Sequence, residues 1–207
     1  LAGIAVFAIV TLFVRDETSS DTECSKNLSK SVGQLARGLD RLVHKKDLWL
    51  ICGIGLLMWM PLVLFAENLG IDFLKKMYGF TDNASKIVGI FFLGWAVGAP
   101  IVNYYSNIIG SRKKPMLWGA IAALFIFCMI WSGAPLTLFS SSFALEMALY
   151  ALIFLFGFVS SVQVIVFAAA KELSCPNTSG TATSITNMVT MFSGFIPPLC
   201  GWLAAKS

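Results

Sequence analysis

The sequence predicts an all-α, polytopic membrane helical bundle, and three observations carry that expectation. Hydrophobic residues make up 57% of the 207 positions and charged residues only 13%, with a mean hydropathy of +0.78, well outside the range of soluble domains. Five apolar runs have the length, about 20 helical residues, needed to cross a hydrocarbon core of about 30 Å. None of them alternates apolar and polar residues as a barrel strand does. A segment in lipid must satisfy its backbone polar groups internally, which leaves the helix.

Residues 1–14, LAGIAVFAIVTLFV, form an apolar stretch ended by Arg15. No basic stretch precedes it, as one would in a signal peptide, and the chain starts without Met. The stretch is expected to be the end of a truncated transmembrane helix, and the chain a fragment. Residues 15–47 form a linker whose start, RDETSSDTE, is acidic and polar. Further on, Leu28, Val32, Leu35, Leu39, Leu42 and Val43 fall at helical spacing, with Lys30, Arg37, Arg41 and Lys45 on other faces. That pattern suits an amphipathic helix on an anionic leaflet, and a solvated tether is the alternative.

Residues 48–207 are expected to form a transmembrane bundle of five spans. The first starts at Leu48. Hydropathy ends it near Ala66, but Leu69, Phe73, Leu74 and Met77 continue a helical spacing to Tyr78, which predicts one long helix kinked near Pro61. Glu67 then lies within the helix, as a candidate for proton coupling or for holding an amino group; otherwise it is an acid of the outer interface. The second span covers Lys86–Ile109, where Gly94 and Gly98 serve close helix packing, and the third Pro115–Gly133. The fourth, Phe143–Ala170, contains Gln163, costly to face toward lipid and so expected to point into the bundle. The fifth, Ser179–Ala205, carries Gly180, Thr183, Asn187, Thr190, Gly194, Pro197 and Gly201 at intervals of three and four, a small and polar stripe expected to line a cavity or a close neighbour. Pro197 and Pro198 should kink its outer third.

Orientation follows from the cations. Of the 15 Lys and Arg residues, eleven fall in the 15–47 linker, in the GSRKKP turn (Arg112, Lys113, Lys114) and at Lys171; the other side holds Lys75, Lys76, Lys86 and Lys206. Short loops rich in these residues stay in the cytoplasm.

Catalytic and cofactor chemistry is not expected. The single histidine, His44, sits in the basic linker, so no His-based metal site or triad can form. The five cysteines make no CxxC pair and suggest neither disulfides nor metal ligation. No cofactor, metal or nucleic-acid partner is expected, and the protein is not expected to be an enzyme. Asn83-Ala84-Ser85 is a formal glycosylation sequon to which no role is given.

The segment SNIIGSRKKPM resembles the conserved cytoplasmic loop of the major facilitator superfamily. Gly110, Arg112, Lys113 and Lys114 match its pattern, whereas Asn103 stands where a Gly is expected, Asn107 where Asp is expected and Ile108 where Arg is expected. GWAVGAPI and KELSCPNTSGTATSITNMVTMFSGFIPPLCGWL are similar to the eighth and the tenth-to-eleventh helix regions of that superfamily, and TLFVRDET to the end of the sixth. The PESPR-like stretch usual in sugar porters is not present. The resemblance implies the C-terminal half of a transporter, from the end of helix six through helix eleven, with helix twelve and the N-terminal half missing. It implies a proton-coupled secondary active transporter working by alternating access, a symporter or an antiporter, in the cell's inner (plasma) membrane, with a solute site near the midplane between the halves and membrane lipid around it. Candidate solute-binding residues are Trp59, Trp95, Tyr104, Gln163, Asn187 and Thr190, a set suited to a small polar organic solute such as an amino acid. Glu172 is expected beside Arg112 or Lys113, forming with Asn107, Gly110 and Lys114 a cytoplasmic gate. The alternatives are a transporter-like solute receptor and an organic-anion or phosphate antiporter.

Overall fold

In the computed structural model, described over residues 43–139, 141–174 and 178–204, every regular element is helical. The expected truncated helix of residues 1–14 and nearly all of the linker lie outside the described residues. The first span begins as α1 (Lys46–Met60), passes through a π-helical stretch (Pro61–Leu69) and ends as α2 (Gly70–Tyr78). It is one run of 33 residues, so the apolar spacing beyond Ala66 is the better guide to its length. The widened turns start at Pro61, which has no N–H to return to the preceding turn. They close with the Gly70 N–H donating to the Phe65 carbonyl, and the side-chain Nδ2 of Asn68 donates to the Val63 carbonyl at 2.6 Å.

The second span is α3 (Ala84–Ile109) and the third α4 (Lys113–Trp131); each ends within two residues of a left-handed glycine, Gly110 at φ +64° and Gly133 at φ +70°. A short helix that the sequence did not announce, α5 (Ala134–Leu138), follows. The fourth span is α6 (Ser142–Ser160), a 3₁₀ turn (Ser161–Val164) and α7 (Ile165–Leu173). The fifth is α8 (Ser179–Met191), a 3₁₀ turn (Phe192–Phe195) and α9 (Ile196–Ala204).

Four of these runs are long and apolar enough to cross a membrane: Lys46–Tyr78, Ala84–Ile109, Lys113–Trp131 and Ser142–Leu173. The fifth, rich in Ser, Thr and Asn, is helical throughout but less apolar.

Both 3₁₀ turns share a local cause. The Ser161 hydroxyl donates to the Phe158 carbonyl at 2.6 Å and the Ser193 hydroxyl to the Thr190 carbonyl at 2.7 Å, each reaching back three residues and competing with the α-helical ladder. The break in the fifth span lies in the turn just before Pro197 and Pro198, whose missing N–H groups leave the Ser193 and Gly194 carbonyls without α-helical donors. These prolines occupy the second and third positions of α9, where their missing donors cost least.

The core is built where α3 and α6 meet. A Cβ on Gly157 would lie inside the Phe91 carbonyl oxygen, and one on Gly94 inside the Phe154 carbonyl oxygen, so the two backbones touch, as expected of Gly94. Phe65, Phe91 and Phe156 pack edge-on and tilted around this contact, with centroids 5.4–6.5 Å apart. At the opposite end of the bundle from the basic turn, Phe73 stacks on Trp131 at 5.2 Å and Tyr78 donates a 2.5 Å hydrogen bond to the Ile130 carbonyl. Tyr78→Phe should lower the unfolding free energy by about 1 kcal/mol, the usual net worth of one such bond, read as a drop in thermal midpoint in detergent.

Candidate functional site

Two places gather the polar and aromatic residues singled out in the sequence. The first is the turn between α3 and α4. Gly110 reverses the chain in the left-handed region, its N–H donating to the Asn107 carbonyl at 3.2 Å, and this throws Arg112 back across the end of α3. The Arg112 guanidinium then donates to the Glu172 carboxylate at 2.5 and 3.0 Å, to the Asn107 side-chain oxygen at 2.7 Å and to the Ser106 hydroxyl at 3.0 Å. The expected contact of Glu172 with the basic turn is therefore present, made by Arg112.

Asn107, standing where an aspartate was expected, still accepts from Arg112 through its amide oxygen. Ser106 was missed by the sequence reading; it is buried, and its hydroxyl donates in turn to the Ser111 carbonyl at 3.3 Å. A small residue four before Gly110 was the only signal for it. The hydrogen bonds to Glu172 hold the Arg112 pKa above its ordinary value, so the guanidinium stays charged at any physiological pH. Lys113 and Lys114 are exposed in the first turn of α4 and make no hydrogen bond or ion pair among the described residues.

Lys45 lies at the same end of the bundle, donating to the Leu173 carbonyl at the end of α7 at 3.0 Å. Cations from the start of α1, the end of α3 and the end of α7 thus share one face, as the charge count predicts for the cytoplasmic side. A polar recess of about 620 Å³ opens there, walled by Asn103, Asn107, Arg112, Lys171 and Glu172.

The second place is the middle of the bundle. Trp59 and Trp95 come together edge-to-face at 6.0 Å, joining the first two spans just below the π-helical stretch. One turn earlier, Gly55 brings α1 onto α7 and α8: a Cβ there would lie 2.9 Å from Val166 Cγ1 and 3.0 Å from Thr190 Oγ1. Gln163 is 1% exposed in the 3₁₀ turn, pointing inward as expected. Glu67 lies on the exposed surface of the π-helical stretch, beside Asn68 and Leu69.

The remaining expectations separate. Tyr104 is 69% exposed and nine residues along α3 from Trp95, so it does not join the tryptophan pair. The stripe expected in the fifth span divides: Ala182, Thr186, Thr190 and Ser193 are buried, whereas Gly180, Asn187 and Gly194 are exposed. Thr190 donates to the Thr186 carbonyl at 2.8 Å and Thr186 to the Ala182 carbonyl at 2.9 Å. Both hydroxyl protons are thus used within the helix, while Thr186 Oγ1 also accepts from the Cys52 thiol of α1 at 3.6 Å and Thr190 Oγ1 packs against Gly55.

At the other end of the bundle, Asn83 of the formal sequon donates to the Glu146 carboxylate at 2.8 Å and accepts from Lys86 at 3.2 Å, linking the second and fourth spans. Among the described residues no cluster of His, Cys, Asp and Glu could hold a metal ion.

The arrangement is that of a membrane bundle with a basic, hydrogen-bonded turn at one face and a sparse polar interior. A family profile described as Major Facilitator Superfamily matches residues 1–198, nearly the whole chain. The chain belongs to the major facilitator superfamily. It is thus a multi-pass integral membrane protein of a transporter family, whose members bind small-molecule substrates in lipid membranes. No curated protein and no solved structure matches it significantly.

Proposed function

We propose that this major facilitator superfamily chain is the C-terminal half of a proton-coupled secondary transporter that moves a small, polar organic solute by alternating access. The observation that carries the reading is the Arg112 hub, which fastens the end of α3 to the end of α7 through Asn107, Ser106 and Glu172. Such a fastening suits an inner gate, because it can be made in one state and released in the other. The solute site lies between this bundle and the half that the chain lacks. Trp59, Trp95 and Gln163 reach it from the bundle interior, while Asn187 and Tyr104 contribute from surfaces that face outward here. Neutral donors and aromatic rings favour an uncharged or zwitterionic solute over an organic phosphate, which needs a buried cation.

Glu67 is the proton carrier in this reading. Glu67 precedes Lys75 by eight residues, about 12 Å, along the same helix, so with Lys75 and Lys76 reaching to the outer interface its carboxyl would lie within the hydrocarbon. The test uses full-length protein in proteoliposomes supplied with labelled amino acids, with and without a proton gradient. Glu67→Gln should abolish gradient-driven accumulation, roughly a tenfold or greater loss, while exchange of labelled for unlabelled solute persists. Undiminished accumulation by Glu67→Gln would return that carboxylate to the interface.

A further inference from the structure

Between the Lys46–Tyr78 helix and α4 the bundle leaves a groove of about 620 Å³. The first helix walls it from Leu57 to Lys76, α4 walls it from Gly119 to Trp131, and α6 supplies its floor. The two walls meet at the outer end, where Phe73 stacks on Trp131 at 5.2 Å and Tyr78 donates to the Ile130 carbonyl. Lower down, the small residues Gly119, Ala120 and Ala123 cut the α4 wall back. Leu57, Leu69 and Leu124 line the groove yet are 66%, 57% and 64% exposed, so it opens sideways onto the hydrocarbon.

A groove open to lipid does not stay empty. Walls that face a gap forfeit dispersion contacts. Water is a poor filler, because a buried water needs about two to four polar partners, and apart from Ser160 the groove has polar side chains at one end alone.

That end selects the occupant. Asp72 and Lys76 lie one turn apart on one face of α2, both exposed, and neither makes an ion pair among the described residues. The exposed indole of Trp131 lines the same end. An acid and a base at the mouth of an apolar groove match a zwitterion carried on a hydrocarbon chain, with phosphate toward Lys76 and ammonium toward Asp72. A primary ammonium donates up to three hydrogen bonds, whereas a choline has no N–H to offer, and an anionic headgroup would set like charge against Asp72.

We propose that this groove holds one phosphatidylethanolamine of the outer leaflet, with an acyl chain along Ala120 and Ala123, its phosphate at Lys76 and its ammonium at Asp72. The site includes neither the Trp59–Trp95 pair nor the Arg112 hub, and it does not depend on which solute is carried.

The test uses the full-length protein in mild detergent, supplied with equal amounts of phosphatidylethanolamine, phosphatidylcholine and phosphatidylglycerol of identical acyl chains, and counts retained lipid by native mass spectrometry. The unmodified protein should retain one phosphatidylethanolamine at least fivefold more often than either of the others. Asp72→Asn, a change at an exposed position that leaves the fold intact, should reduce the preference over phosphatidylcholine to less than twofold. Lys76→Gln should lower retention of both zwitterionic lipids at least threefold. Ala123→Phe, which sets a ring in the groove, should lower retention of phosphatidylethanolamine at least fivefold.

Equal retention of phosphatidylethanolamine and phosphatidylcholine by the unmodified protein, or stronger retention of phosphatidylglycerol, would overturn the proposal at the headgroup. A preference untouched by Asp72→Asn and Ala123→Phe would place the lipid elsewhere and overturn it at the site. Retention of no lipid would overturn it as well, by showing that another part of the full-length protein fills the groove.

Discussion

Gly157→Val should prevent the bundle from reaching its native packing, with a loss above about 3 kcal/mol, the upper range for inserting bulk into a close-packed core. The reason is that the added Cβ meets the Phe91 carbonyl oxygen of α3, which is backbone and cannot rotate away. Separating α3 from α6 by even 1 Å would also loosen Phe65, Phe91 and Phe156 around the contact. The measurement is the yield of monodisperse protein after detergent extraction and its thermal midpoint. Wild-type yield and midpoint for Gly157→Val would mean that the two helices do not touch there. Gly53→Ala is the matched control, because a Cβ at Gly53 meets nothing within 4 Å.

Arg112→Ala should reduce solute turnover about tenfold, equivalent to about 1.4 kcal/mol. Charge-assisted hydrogen bonds are worth about 1.5–3 kcal/mol each, but the Arg112 side chain is 23% exposed and that of Glu172 55%, so solvent screens most of the pair's value. Glu172→Ala should cost less than Arg112→Ala, since Asn107 and Ser106 still hold the guanidinium. Arg112→Lys should not rescue, because a single ammonium cannot engage three acceptors in the plane of a fork. Neutralising Lys113 and Lys114 together should change turnover less than about twofold and act instead on insertion orientation. Equal losses from Arg112→Ala and from the double lysine change would show that net charge, not the hydrogen-bonded hub, governs the gate.

The parts of the fold that could be read in the sequence are those set by apolar period. The Lys46–Tyr78 helix was legible past its hydrophobic end because Leu69, Phe73, Leu74 and Met77 hold their spacing, and Glu172 was legible as the acid nearest the basic turn. The two 3₁₀ turns were not, because nothing in the order of residues says whether Ser161 or Ser193 will donate to a carbonyl three residues back. The fifth span misled for a related reason. Threonine counts as polar in a sequence, yet Thr186 and Thr190 donate their hydroxyls to carbonyls of their own helix, which lets both sit on the buried face although that face reads as wet. Ser106 was illegible because its role depends on where Gly110 sends Arg112.

The length of the first helix has a mechanical consequence. Thirty-three residues at about 1.5 Å each make a rod near 50 Å long, against a hydrocarbon slab of about 30 Å. Tilt alone would have to reach about 53° to hide it, beyond the range of about 0–40° found for membrane helices. Mismatch of this size forces the rod to stand proud of the slab. Near the outer end of the rod Phe73 stacks on Trp131, whose exposed indole is the ring suited to the headgroup level on the side away from the basic turn. The helix is therefore tied at both ends, by ring contacts to Trp131 near its outer end and by the Lys45 bond to the Leu173 carbonyl at the other, so any tilt of the rod is felt by α4 at one membrane face and by α7 at the other.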